Sequence, residues 1–236
     1  MENVNYITLS RQSGLLAEMQ VVANNIANIS TTGYKREGVI FSEYVRRIGE
    51  ENSLSMARGN TRHIDLLPGN LKDTGGGLDF AIQGAGFFLV STSEGNRLTR
   101  SGAFSVSPEN NLVNYDGQAV LDDSLNPINL PAGFKNITVS AGGDVRVDDE
   151  EIARIGIWHP QGAADMRRAG GALFSSRHIE LSDQPVIRQG YLEDSNVNAV
   201  SEIANMIEIQ RTYELGQKFL DSEDQRQRTV ISSLGK

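Results

Sequence analysis

The apolar residues between Gly190 and Lys236 recur with the period of a helix that must pack against another helix. Met206, Ile209, Tyr213, Gly216 and Leu220 step by three and four, and Val230 and Leu234 resume the stripe two turns later. Val200, Ile203 and Ile207 form a neighbouring stripe that widens the apolar face near the start. Such spacing is the seam of a helix–helix contact. No proline follows Pro185, so the helix can run for about 55 Å at 1.5 Å per residue. A helix of that length is not stable alone in water, because packing supplies most helical stability. The chain has to provide a partner.

It offers one at its other end. Residues 1–32 contain no proline and a single glycine, Gly14. Leu15, Met19, Val22, Ile26 and Ile29 step by four and three, while Leu9, Leu16 and Ala23 recur every seven residues on the adjacent face. The expected helix ends near Thr31 or Thr32, with Gly33 free to turn left-handed. Its only charges are Glu2, Arg11 and Glu18; the other polar residues are amides and hydroxyls, among them Asn24, Asn25 and Asn28. Helices bathed in water carry interspersed lysine and glutamate, so this uncharged face points to contact with more protein. Buried amides need hydrogen-bond partners, which neighbouring subunits could supply. The later helix instead carries the pairs Glu214–Lys218, Asp224–Arg228 and Glu223–Arg226 at helical spacing, the mark of a partly solvated face. In a nested assembly the first helix is expected to lie deeper.

Between the helices the composition changes. Eighteen of the 24 glycines fall from Gly59 to Gly190, and all six prolines from Pro68 to Pro185. Glycine and proline punctuate turns, so this region reads as strands. Residues 34–58 form a charged connector with strand character in Val39 to Val45. Phe104–Val106, Leu112–Tyr115 and Ala119–Leu121 read as a three-strand meander, with Asp116-Gly117 as a type I′ turn. Further strands are expected at Leu78–Ile82, Gly86–Ser91, Asn136–Ser140, Asp144–Val147 and Arg154–Trp158. Short, closely spaced strands with no helical period between them argue a compact antiparallel domain.

The bulk properties exclude several functions. A net charge of −8 across 236 residues gives no support for a nucleic-acid partner. No apolar run approaches eighteen residues, so no membrane span is expected. The opening MENVNYITLS lacks the layout of a cleaved secretory signal peptide. Zero cysteines exclude thiol catalysis and thiolate metal sites.

No catalytic constellation emerges. His63, His159 and His178 are dispersed, none in a metal-spaced pair. Asp122-Asp123 and Asp148-Asp149-Glu150-Glu151 sit beside strand ends and lack the alternating spacing of a calcium loop. Gly75-Gly76-Gly77 and Gly84-Ala85-Gly86 are not followed by the residues of a phosphate loop, and Ser101-Gly102 lacks the setting of a nucleophile elbow. No catalytic, cofactor-binding or metal residue is expected, and the chain reads as a structural protein.

Four stretches resemble the motifs of the bacterial flagellar basal-body rod and hook proteins, the axial proteins of the flagellum. They are ANNIANISTTGYKRE (Ala23–Glu37), LDFAIQGAGFFLV (Leu78–Val90), RLTRSGAFSV (Arg97–Val106) and GYLEDSNVNAVSEIANMIEIQRTYE (Gly190–Glu214). They stand in family order and are spread over most of the chain, with residues 38–70 and 122–185 the least matched. The resemblance implies an α+β fold: the terminal helices pair as a coiled coil and a mostly antiparallel β domain lies outside them. The expected segments are a helix over 1–33, a connector over 34–70, a β domain over 71–189 and a helical segment over 190–236. It also implies helical stacking of subunits into a rod that crosses the periplasm and export by the flagellar type III apparatus. Its partners would be other rod proteins and copies of itself. The short connector favours a proximal rod member over a distal rod or hook member. By position, Asn24, Asn25, Asn28, Gly33 and Tyr34 correspond to the N-terminal motif. Ser195, Asn196, Val197, Met206, Ile207, Gln210, Arg211 and Tyr213 correspond to the C-terminal one. Together with the seam residues Leu15, Met19, Val22, Ile26, Ile29 and Ile209, they form the expected assembly interface.

Overall fold

The computed structural model describes residues 2–48, 52–162 and 165–234. Two long helices, α1 (Glu2–Ala27) and α2 (Ala199–Leu234), bracket a region of strands that pair antiparallel. The fold is α+β, with a helix at each end and antiparallel β structure between them. The chain divides into two compact units. One holds residues 1–27, 37–63 and 198–236; the other holds residues 28–36 and 64–197.

In the helical unit α1 and α2 pack against each other. Asn25 meets Glu202 and Gln12 meets Gly216, so the helices run antiparallel and their register is set. At 1.5 Å per residue α1 is about 39 Å long and α2 about 54 Å. Asn198 caps α2: its Oδ1 accepts the Ser201 N–H at 3.0 Å, satisfying one of the unpaired donors of the first turn. Strands β1 (Glu37–Ile48) and β2 (Asn52–Ile64) pair as a two-stranded ribbon. The strand character expected in Val39–Val45 is part of a longer strand, and β2 had no counterpart in the sequence reading.

The β unit is built around β5 (Phe87–Thr92). Its opening run Phe87-Phe88-Leu89-Val90 is buried throughout. Successive side chains of a strand point to opposite faces, and here both faces are covered. Phe88 and Val90 enter a large cluster with Phe80, Phe104, Leu112 and Val145. Phe87 and Leu89 enter a second one with Leu98, Trp158 and Phe174. The six-stranded sheet runs β13 (Arg167–Arg168), β14 (Leu173–Ser175), β6 (Gly95–Thr99), β5, β12 (Ile157–Pro160), β15 (Ile179–Leu181). Smaller pairings join β4 (Phe80–Ile82) to β16 (Ile187–Gln189) and β3 (Leu71–Asp73) to β17 (Tyr191–Glu193).

Several boundaries differ from the sequence reading, each for a local reason. Helix α1 ends at Ala27 rather than near Thr31. The hydroxyl of Thr31 donates to Asn28 Oδ1 and its N–H to Asn28 O; side chains of this kind compete with helical bonding. Helix α2 begins at Ala199, and the stretch before it contributes β17. The segment expected over Arg154–Trp158 is two strands, β11 (Glu150–Arg154) and β12. In the meander, β7 (Phe104–Val106) pairs with β8 (Leu112–Asn114), while residues 119–122 form only isolated bridges. The Asp116-Gly117 turn is not type I′. Gly117 N–H donates to Asn114 O and Asn114 N–H to Gln118 O, which closes a three-residue loop with Gly117 left-handed (φ 76°). A type I′ pair, left-handed at both central residues, occurs instead at Asp148-Asp149 (φ 49° and 72°). It joins β10 (Asp144–Val147) to β11. Aspartate tolerates that region better than most residues, and Asp148 Oδ1 accepts the Asn136 N–H at 3.0 Å.

Candidate functional site: the helix seam and the junction of the two motifs

The seam of the helical unit is thin. Leu15, Val22 and Ile209 are its buried members, with Met19, Ile26, Met206 and Tyr213 packed against them in part. The alternating three- and four-residue steps bring these residues together, as a helix stripe must. The flanking stripes are not in the seam: Leu16 is 44% exposed, Ile207 44% and Val200 77%. Leu9 and Ile203 are exposed as well, as are Asn24, Gln210 and Arg211. Val230 is exposed too, and the side chain of Leu234 lies outside the described residues.

One asparagine ties the seam to β1. Asn25 is fully buried. Its Nδ2 donates to Glu37 O at 2.8 Å and to Glu202 Oε2 at 3.0 Å, and its Oδ1 accepts the Glu37 N–H at 3.0 Å. A buried amide satisfied by partners from two other elements, β1 and α2, has one register in which it can sit. It acts as the polar position that fixes alignment in a paired-helix structure. Further along, Glu18 faces Glu208 across the helices; partial burial and then the Glu208 carboxylate push the Glu18 carboxyl above its usual range.

The remaining motif residues meet in the β unit. Gly33 is left-handed (φ 68°), and a side chain there would strike the Arg100 carbonyl carbon at 2.3 Å. Its N–H donates to Glu193 O at 2.7 Å. Tyr34 is buried beneath the Arg168 guanidinium, 4.1 Å from the ring centroid. Asn196 stitches three segments: its Oδ1 accepts the Arg36 N–H at 2.6 Å, and its Nδ2 donates to Asp65 O and Leu67 O. Ser195 Oγ accepts the Val197 N–H at 3.3 Å, Val197 is buried, and Asn28 and Ile29 are half-buried.

Beneath this junction lies a group absent from the sequence-derived set. Glu193, fully buried, receives Lys35 Nζ at 2.5 Å on one oxygen and Arg100 at 2.9 Å on the other. The Gly69 N–H adds a third donor at 3.0 Å. Lys35 also donates to Leu67 O, and Arg100 to Ile82 O and Gly84 O. Burial lowers the pKa of both Lys35 and Arg100, opposed by the Glu193 carboxylate. Two cations on one buried carboxylate form a structural clasp; no side chain here is arranged as a nucleophile with its base. Each member sits inside a quoted motif, at the lysine of TTGYKRE, the glutamate of GYLEDSN and the second arginine of RLTRSGAF. Their burial had no periodic signal to announce it.

Three family models match the chain. Residues 6–35 match "Flagella basal body rod protein". Residues 81–147 match "Flagellar hook protein FlgE/F/G D1 domain". Residues 188–234 match "Flagellar basal body rod FlgEFG protein C-terminal". The chain is 35% identical to the flagellar basal-body rod protein FlgF of Caulobacter vibrioides, over all of this chain and 99% of that one. The chain belongs to the flagellar basal-body rod protein family. It is 33% identical to the FlgF of Mesorhizobium japonicum over 91% of this chain and 90% of that one. For the FlgG of Agrobacterium fabrum the figures are 32%, 92% and 93%. As a FlgF-like member of this family the protein is a structural component of the flagellar basal body, associated with other rod components, and serves motility. The first and third models end in or contain the residues of the junction and the seam, so the geometry above is the geometry of the family's own segments.

Proposed function

We propose that this chain is a subunit of the proximal rod and polymerises helically through its terminal helices into the axial drive shaft. The observation that carries the reading is the poverty of the seam beside the wealth of apolar surface left open on the same two helices. Leu9, Leu16, Ile203, Ile207, Leu215 and Phe219 are all exposed. A contiguous apolar face on a soluble protein marks an interaction surface, and the near absence of charge on α1 fits a position among other protein helices. In this reading the helices within residues 1–33 and 190–236 pair as a coiled coil in the inner layer, the β domain of 71–189 sets lateral contacts, and 34–70 connects them. The interface is formed by the exposed Asn24, Ile207, Gln210 and Arg211, held in place by the seam and by the Asn25 and Gly33–Tyr34 anchors. The chain acts as a structural subunit and not as an enzyme, and it reaches the rod through the flagellar type III export apparatus.

The test is deletion of the gene in its host, with electron microscopy of purified basal bodies and complementation by Ile207→Asp. Deletion should remove the rod beyond its base together with the hook. Ile207→Asp puts a charge on an exposed apolar position, so it should leave the monomer folded and abolish swimming, because a charge buried without a partner is costly. Intact flagella after deletion, or normal swimming with Ile207→Asp, would overturn the reading.

A further inference from the structure

At the end of the helical unit remote from Asn25, α1 and α2 leave a groove of about 300 Å³. Ile7, Leu15, Leu215 and Phe219 give it apolar walls, and Arg11 stands on its lip. Gln12 also lines it, only 6% exposed, and among the described residues its Nε2 has no hydrogen-bond partner. Gly216 leaves room for that amide: a Cβ there would lie 3.1 Å from Nε2. A buried amide donor without an acceptor is unfavourable until something supplies one. The groove is therefore complementary to an apolar segment that brings hydrogen-bond acceptors and negative charge.

The C-terminal turn of α2 has that chemistry. Val230 and Ile231 are 49% and 70% exposed. The last four carbonyls of a helix have no intrahelical donor; here the hydroxyls of Ser232 and Ser233 turn back to Thr229 O and Val230 O, short of those four. No basic side chain occupies the last turn to offset the partial negative charge of a helix C-terminus. Within one chain Gln12 sits beside Gly216, and Ile231 lies about 22 Å further along α2 at 1.5 Å per residue. The end of α2 cannot reach its own groove.

We propose that the last turn of α2 from one copy of the chain docks in the Gln12 groove of a second copy. Its terminal carbonyls accept the Gln12 amide, Val230 and Ile231 cover the apolar walls, and Arg11 meets the helix C-terminus. The contact joins two different surfaces, so it does not close a two-fold pair, and in a helical rod it repeats from copy to copy. This inference rests on the rod-subunit reading and names the contact between copies.

Because the chain has no cysteine, an introduced pair reports one geometry. Cells would express Thr8→Cys in one tagged copy and Ser233→Cys in a second, differently tagged copy, and purified basal bodies would be oxidised and blotted without reductant. A mixed dimer carrying both tags, absent with either single variant, is expected. Basal bodies that contain both variants and give no mixed dimer would overturn the docking and leave the rod reading standing. Wild-type protein missing from basal bodies would overturn both. Gln12→Leu gives a readout independent of cysteine, because removing an unsatisfied amide should leave the isolated monomer equally or more resistant to denaturant while its incorporation into basal bodies falls at least tenfold. Incorporation at the wild-type level, or a monomer that loses stability, would overturn the proposal.

Discussion

The two units of this protein bury polar and apolar groups in different proportions. Among the described residues, the β unit collects fifteen buried apolar side chains in one cluster and eight in another. The helix seam collects three. At about 2 kcal/mol for a fully buried aliphatic side chain, the first inventory supports an independent fold and the second barely supports a helix pair. Both units nevertheless hold a buried polar anchor, Glu193 with its two cations in one and Asn25 with its two glutamates in the other. The anchor of the β unit sits under a complete core. That of the helical unit sits in a seam whose flanks are open. A small core, a fixed register and an exposed apolar surround suit helices that are completed by assembly.

The largest test of this contrast is hydrogen exchange on the verified monomer. Amides of residues 75–185 should exchange only by global opening, worth about 5 kcal/mol or more, whereas those of α1 should exchange with little protection. Equal protection of the two would remove the contrast and with it the idea that the helices gain order on docking.

The next effect comes from the clasp. Glu193→Ala leaves Lys35 and Arg100 buried without their carboxylate, and breaking a buried ion pair from one side costs about 3–5 kcal/mol. Denaturant unfolding of the β unit would show it as a lowered midpoint. A loss below about 1 kcal/mol would mean that the two cations find other partners or water.

The extent to which this architecture was legible in the sequence follows the same division. The seam was readable because Leu15, Met19, Val22 and Ile26 obey a period, and Met206, Ile209 and Tyr213 obey the matching one. The run Phe87–Val90 announced a strand by its composition. What escaped was fixed by contacts distant in sequence. Glu193 is buried because β17 pairs with β3 and Gly33 and Arg100 approach from elsewhere in the chain, and no local pattern encodes that. Glu37 and Glu202 read as ordinary surface glutamates until Asn25 claims them. The flanking stripe reads differently: Val200, Ile203 and Ile207 share the helical period of the seam, but they are exposed and, among the described residues, the buried seam takes only Leu15, Val22 and Ile209. The Asp116-Gly117 turn failed on chain length, since its loop has three residues where the type I′ turn needs two.

A smaller effect is expected at the helical anchor. Asn25→Ala removes both donors and the acceptor that bind the Glu37 backbone and the Glu202 carboxylate, at about 1–3 kcal/mol. Circular dichroism of the monomer should show weaker terminal helices while the β unit unfolds at an unchanged midpoint. An unchanged helical signal would mean that register is held by Leu15, Val22 and Ile209 alone.

The smallest effect is at Glu18, and it carries a sign. Partial burial and then Glu208 raise its pKa in the folded state, so the folded helix pair binds this proton more readily than the unfolded chain does. Where the unfolded form is ionised and the folded form still partly protonated, stability falls as pH rises. The penalty is complete above the raised folded value and is relieved as pH drops below it through the unfolded value near 4.5. Glu18→Gln should therefore stabilise the terminal helices at neutral pH and flatten their acid-side dependence, with no effect on the β unit. If the substitution leaves the pH profile of helix content unchanged, the two glutamates do not oppose each other in solution. A variant that destabilises at neutral pH would mean that the Glu18 carboxylate already has a favourable partner, in which case a like charge across the seam is not what limits the strength of the helix pair.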